Sequence, residues 1–154
     1  MLRFVGEYTA KLDDKGRLIF PSALKEQASP NVDGEFIVKK NIHRKCLEIY
    51  PVEEWTRISD ELYDSLDMLD PEDDEFWDEY NKYKAAFTPD EKTGRILIPK
   101  KLLEMINVEK EVVFVGLGRI IKLWAKEAYE RSQMSTEKYA EVTRKVKEKR
   151  EKRK

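Results

Sequence analysis

Two arginines carry the strongest chemical signal in the chain, because each stands in the same short setting. Arg17 lies in Leu12-Asp13-Asp14-Lys15-Gly16-Arg17-Leu18-Ile19-Phe20-Pro21. Arg95 lies in Asp90-Glu91-Lys92-Thr93-Gly94-Arg95-Ile96-Leu97-Ile98-Pro99. Each arginine follows a glycine (Gly16, Gly94) and precedes three apolar residues and a proline. Each has an acid four residues upstream, Asp13 and Glu91. Such an acid can accept backbone N–H bonds from the turn and pair with the guanidinium at its end, holding a planar cation at an exposed hairpin base. Other chemistry finds no constellation here. There is no nucleophile elbow, P-loop or dinucleotide fingerprint. His43 and Cys46 are three apart, and a zinc site needs more ligands than that. No catalytic residue, metal or cofactor is expected, and the chain reads as a non-enzyme.

The elements that must position these arginines follow from the flanking pattern. Gly16 supplies the positive φ that a tight hairpin turn needs. Thr9–Leu12 enters the turn as a strand, and Leu18-Ile19-Phe20 leaves it as a short buried strand. Pro21 and Pro99 are expected to start short helices at their first position, over 22–28 and 100–106, with Asn107 as a left-handed cap on the second. The two settings are 78 residues apart. That spacing means a duplicated unit, since solenoid repeats run to about 20–50 residues.

Each short helix is followed by two more strand signals. Phe36-Ile37-Val38 and Leu47-Glu48-Ile49-Tyr50 flank a basic loop, Lys39 to Lys45. Val112–Val115 and Ile121–Trp124 flank a glycine-rich one, Gly116-Leu117-Gly118-Arg119. Between the copies lies a helical insert. Pro51 suits the first position of one helix, with Trp55, Ile58, Leu62, Leu66 and Leu69 as its apolar stripe and Glu54, Glu61, Asp64 and Asp67 on the solvated face. Asp70-Pro71 starts a second helix, with Phe76, Tyr80, Tyr83 and Phe87 as its stripe. These helices are expected to pack as an antiparallel hairpin on the core. After Trp124 a helix over 125–133 leads to a cap at Ser135-Thr136 and a basic helix that frays from Lys145 onward. Cys46 reads as a half-buried thiol.

Composition sets the outer bounds. The chain has 154 residues, 40% of them charged, with a net charge of −1 and a mean hydropathy of −0.72. No apolar stretch approaches the ~18 residues of a membrane span. The N-terminus lacks a signal-peptide pattern, and one cysteine allows no internal disulfide, so a cytoplasmic location is expected. The mean charge hides segregation. Residues 1–52 carry +2, 53–91 carry −12, 92–135 carry +4 and 136–154 carry +5. Local potential steers a partner more than the net charge does.

Two copies of an acid, glycine-arginine turn, apolar run and proline resemble the MraZ family, double members of the AbrB-like swapped-hairpin transcription factors. The likeness spans residues 1–130. The family pattern is Asp-x-x-x-Arg twice. Asp13 to Arg17 matches it, whereas the second copy carries Glu91, with Asp90 beside it as the other acid in reach. The resemblance implies an α+β fold: a duplicated AbrB-like swapped-hairpin β-barrel with a helical insert between the halves and a C-terminal helix. It divides the chain into a first half at 7–53, an acidic insert at 54–81, a second half at 82–127 and a basic helix and tail at 128–154. It also implies sequence-specific binding to double-stranded promoter DNA in the nucleoid, at short repeated boxes upstream of the regulator's own division and cell-wall gene cluster. Closed homo-oligomeric rings are implied as well. Arg17 and Arg95 are then the base-reading residues, and Lys15, Lys11 and Lys92 the phosphate contacts, supported by Asp13, Gly16, Glu91 and Gly94. The other reading is a non-enzymatic interaction module, whose acidic insert docks a basic partner and whose turns only shape hairpins.

Overall fold

The computed structural model describes residues 3–28 and 34–154. In chain order the elements are β1 (Phe4–Lys11), β2 (Arg17–Ile19), α1 (Ser22–Gln27), β3 (Phe36–Lys40), β4 (Leu47–Pro51), α2 (Val52–Asp64) and α3 (Pro71–Tyr80). They continue as β5 (Lys84–Phe87), β6 (Arg95–Leu97), α4 (Lys100–Met105), β7 (Glu111–Gly118), β8 (Ile120–Ala125), α5 (Lys126–Arg131) and α6 (Thr136–Lys152). The sequence β-β-α-β-β thus occurs twice, with α2 and α3 between, which is the duplicated α+β fold.

Six strands form one antiparallel sheet in the order β1-β7-β8-β4-β3-β5, and β2 pairs with β6 as a separate ribbon. Exchanging the two copies maps this order onto itself. A pseudo-twofold axis therefore runs between β8 and β4 and through the centre of the ribbon. The entry strand of each copy pairs with the other copy: β1 along β7, with Ala10 opposite Val112, and β5 along β3, with Phe87 opposite Phe36. These are the swapped hairpins.

Strand alternation builds the core between sheet and ribbon. Phe36, Val38, Leu47 and Ile49 point inward from one copy, and Val112, Phe114, Ile121 and Leu123 from the other. Leu18, Phe20, Ile96 and Ile98 come down from the ribbon side. The Phe20 ring lies 5.0 Å from Phe36, 5.8 Å from Phe87 and 5.6 Å from Phe114. Leu24 of α1 and Leu102 and Leu103 of α4 close the same core. Pro21, Pro51 and Pro99 cap their helices from just outside, at extended ψ, instead of occupying the first helical position. Asn107 takes the left-handed cap, with φ 58°.

The opposite sheet face carries the acidic insert helices. Tyr50 and Trp55 meet at 5.5 Å, and Trp55 stacks on Tyr80 at 5.9 Å. Tyr63 of α2 meets Trp77 of α3 at 5.1 Å, so the two insert helices do pair. The stripe differs from expectation, however. Leu69 is 93% exposed and Phe76 38%. Helix α3 ends at Tyr80, Tyr83 sits in a turn with φ 56°, and Phe87 belongs to β5. Glu54 is buried, not solvated, because Arg57 and Arg119 converge on its carboxylate. The expected basic loop is shorter, since Lys39 and Lys40 extend β3. Lys39 is buried with its Nζ 4.3 Å from the centre of the Tyr80 ring, and burial lowers its pKa. In the other copy β7 runs on through Gly118, leaving only Gly118-Arg119 as the turn.

Cys46 is fully buried among Val113, Val115 and Trp124, beneath Ala128 and Tyr129 of α5. Ser135 caps α6 by accepting the Lys138 N–H at 3.1 Å. That helix is exposed along its length and stays helical to Lys152, beyond the expected fraying point.

The aromatic core generates a stability prediction. Phe20→Ala is expected to cost about 3–5 kcal/mol, since the cavity would open at the junction of both copies. Phe76→Ala is expected to cost about 1 kcal/mol or less, because a half-exposed ring on Tyr80 loses mainly one aromatic contact. Urea midpoints at fixed protein concentration, with unchanged slopes, measure the difference.

Candidate nucleic-acid interface

The first turn is closed by its aspartate. Asp13 Oδ1 accepts the backbone N–H groups of Lys15 at 2.9 Å and Arg17 at 2.8 Å, and Oδ2 accepts from Arg17 Nε at 2.9 Å. The Asp13 N–H donates to the Arg17 carbonyl at 2.9 Å, and the Gly16 N–H donates to the Asp13 carbonyl at 3.0 Å. Gly16 has φ +78°, a conformation that side chains with a Cβ resist. The Leu12 N–H donates to the Lys110 carbonyl at 2.8 Å, which ties the turn to the other copy. Asp13 engages only Nε of Arg17, and among the described residues neither terminal nitrogen of the fork is hydrogen-bonded.

The second turn uses a different acid. The Asp90 N–H donates to the Arg95 carbonyl at 3.0 Å, and the Gly94 N–H donates to the Asp90 carbonyl at 2.8 Å, reproducing the backbone pattern of Asp13. Asp90 Oδ2 accepts the N–H groups of Lys92 and Thr93 at 3.1 and 2.8 Å and the Thr93 hydroxyl at 2.9 Å. The Thr93 Oγ1 accepts from the Arg95 N–H at 3.2 Å. The loop is thus one residue longer, and the counterpart of Asp13 is Asp90, not Glu91. Glu91 is exposed within the turn. Spacing from the arginine misled the alignment because an added loop residue shifts the acid by one.

Both aspartates are held below their ordinary 3.8, Asp13 chiefly by the Arg17 backbone N–H and Asp90 chiefly by that of Thr93. Each carboxylate is therefore ionised and committed to its turn.

The ribbon brings the two arginines together. Its register is Arg17 opposite Leu97, Leu18 opposite Ile96 and Ile19 opposite Arg95. Directly opposite residues share a face, so Arg17, Arg95, Ile19 and Leu97 lie on the outer surface while Leu18 and Ile96 face the core. The arginines are diagonal neighbours, roughly 7–8 Å apart at Cα by strand geometry. Lys15 and Lys92 are exposed in the two turns, and Lys11 is exposed at the end of β1, in register with Glu111. Ile19 was expected to be buried, and Leu97 is its counterpart in the second copy. They are 58% and 63% exposed. A period of two in a three-residue strand covered on one side would have revealed them.

Charge separation completes the site. The acidic insert packs on the sheet face opposite the ribbon. Stacked β layers lie about 10 Å apart, comparable with the screening length at physiological salt. The arginine face is thereby insulated from the −12 charge of residues 53–81. Among the described residues no helix is long and apolar enough to cross a membrane.

The family model described as "MraZ protein, putative antitoxin-like" matches residues 3–79 and again 84–152, one match for each turn. The chain belongs to the MraZ family. Among its relatives, a protein named transcriptional regulator MraZ from Christiangramia forsetii is 34% identical over 153 residues, covering 95% of this chain and 94% of the relative. Proteins of the same name are 31% identical over 139 residues in Bacteroides thetaiotaomicron (90% and 88% covered) and 37% identical over 129 residues in Dictyoglomus thermophilum (82% and 82% covered). Within this MraZ-family chain each matched segment carries one aspartate-closed turn and one outward arginine.

Two predictions follow from the turn chemistry. Asp90→Ala is expected to speed amide exchange at Lys92 and Thr93, while Glu91→Ala leaves both unchanged, as hydrogen exchange followed by NMR will show. The Asp13 clamp is complete above pH 3.8 and is lost only as pH falls through its lowered native pKa, because protonation removes the acceptor charge. The Asp13 carboxyl shift, followed by NMR titration, reports both its midpoint and the loosening of Arg17.

Proposed function

We propose that this MraZ-family protein is a non-enzymatic transcriptional regulator that binds double-stranded DNA through the outer face of the β2–β6 ribbon. The observation that carries the proposal is the placement of Arg17 and Arg95 on one outward face of a two-stranded ribbon. A major groove admits such a ribbon, and a bidentate arginine on guanine O6 and N7 is worth about 1–3 kcal/mol of discrimination. Arg17 and Arg95 read bases in this scheme, while Lys15, Lys11 and Lys92 contact phosphates and set the register. Asp13 and Gly16 shape the first turn, and Asp90, beside Glu91, shapes the second with Gly94. The targets are short repeated boxes upstream of the protein's own division and cell-wall gene cluster, which it represses from a cytoplasmic, nucleoid-associated pool.

A single ribbon offers few contacts, so affinity calls for repetition through a ring-like homo-oligomer. The structure supports self-association at its edges. Strands β1 and β5 border the sheet, and an open edge seeks a partner strand. The domain division is read as two DNA-facing halves, 7–53 and 82–127, joined by the insert at 54–81 and followed by the basic segment at 128–154.

Mobility shifts on the upstream fragment, competed with random DNA at several salt concentrations, test the proposal. Wild type is expected to prefer its own fragment. Arg17→Ala should lose that preference with its circular dichroism intact. Arg95→Ala should weaken it less, because Arg95 has no carboxylate partner within 4 Å among the described residues to order its fork. Equal affinity for both DNAs would instead favour an interaction module built on the exposed Leu69 and Phe76 of the acidic insert. Light scattering at micromolar concentration is expected to give a mass well above a dimer.

A further inference from the structure

We infer that Ile19 and Leu97 are specificity residues that read thymine methyl groups beside the guanines contacted by Arg95 and Arg17, an inference that rests on the DNA-binding proposal above.

The ribbon has three residues in each strand, and its outer face is a square of alternating chemistry. Arg17 faces Leu97 across the pair, and Ile19 faces Arg95. Isolated exposed apolar residues are common on any protein and need no explanation. These two differ in their setting. They are related by the pseudo-twofold axis, they occupy corresponding diagonal corners, and each is 58% or 63% exposed next to a cation. No acid stands on the outer face of either strand; in the turns, Asp13 and Asp90 are engaged by the backbone N–H groups of Arg17 and Thr93, and Asp14 and Glu91 lie outside the strands. The surface is therefore cationic and apolar in alternation.

That pattern has a natural complement in a major groove. Guanine offers O6 and N7 to arginine, and thymine offers its C5 methyl to an aliphatic side chain. The phosphates flanking the groove account for the charge complementarity, since lysines on both turns border the ribbon. The spacing also fits. Directly opposite residues are about 4.5–5.5 Å apart at Cα, and successive bases on one strand are separated by about 3.4 Å. An arginine on guanine thus places the aliphatic residue opposite it within about two base pairs.

The inner side of the ribbon explains why these positions are free for such a role. Leu18 and Ile96 are 1% and 3% exposed, and with Phe20 and Ile98 they supply the ribbon's whole contribution to the core. Ile19 and Leu97 stand outside that core cluster, so their side chains can be shortened without opening a cavity in it.

The test replaces single thymines by deoxyuridine, which removes the methyl and keeps the pairing. Guanine methylation interference on the upstream fragment first locates the contacted guanines. Each thymine within two base pairs of them is then substituted, and the affinity of wild type is compared with that of the double variant Ile19→Ala, Leu97→Ala. Wild type is expected to lose about fourfold in affinity at one or more of these thymines, the transfer free energy of one buried methyl group. The double variant should show interference at the same guanines and bind thymine and uracil fragments equally. If wild type shows guanine interference but ignores every uracil substitution, this inference fails while DNA binding stands. If the double variant keeps the uracil penalty, other residues contact the methyl groups and the assignment is wrong. A changed mass in light scattering with the uracil penalty retained would make this face a self-association surface. No preference for the fragment over random DNA would remove the DNA-binding proposal and this inference with it.

Discussion

The exchange of entry strands between the two copies is the constraint on which the rest depends. Strand β1 pairs over eight residues with β7 of the other copy, and β5 pairs with β3. Neither copy encloses a core alone. Phe20 of the first copy is buried only because Phe87 and Phe114 of the second meet it beside Phe36. The same exchange draws β2 and β6 into a ribbon, with Leu18 and Ile96 pinned beneath. A short two-stranded ribbon is marginal in isolation. Anchored over this core, it becomes a rigid platform whose outer residues have defined positions.

Rigidity matters because ordering a long side chain at the moment of binding costs free energy, about 0.5–1.5 kcal/mol for each one immobilised. The two copies manage that cost differently. In the first, Asp13 clamps both the backbone and the Nε of Arg17, so the guanidinium is presented in advance. In the second, Asp90 spends its hydrogen bonds on Lys92 and Thr93, and Thr93 relays the hold to the Arg95 backbone while leaving the guanidinium looser. One inserted loop residue produces this asymmetry. A duplicated chain can change one copy alone, whereas a dimer of identical protomers cannot.

The layered arrangement reconciles an acidic chain with the anionic partner proposed for it. The insert helices, with the −12 charge of residues 53–81, lie behind the sheet. There the charge is partly consumed locally, as at Glu54 with Arg57 and Arg119. Aromatic stacking from Trp55 through Tyr80 to Trp77 holds the two insert helices together over Lys39. Net charge therefore says little about which face meets which partner, and the topology of the sheet says a great deal.

The sequence by itself determined the duplication, the glycine turns, the arginines at the hairpin bases, and the strand and helix order except for β5, whose Phe87 it read onto a helix stripe. These are local properties: a tight turn at positive φ favours glycine, apolar periodicity names the element, and repetition marks equivalence. It also showed the acid segregated between the copies. Tertiary structure alone decided which strands pair, since the swap joins residues a hundred positions apart, as with Ala10 and Val112. It decided that Ile19 and Leu97 face outward, because burial of a short apolar run depends on how many of its faces are covered. It decided that Glu54 and Lys39 are buried, through partners no periodicity announces. And it moved the second turn's acid from Glu91 to Asp90, because hydrogen-bond geometry recognises where a carboxylate sits in space and is indifferent to its count along the chain.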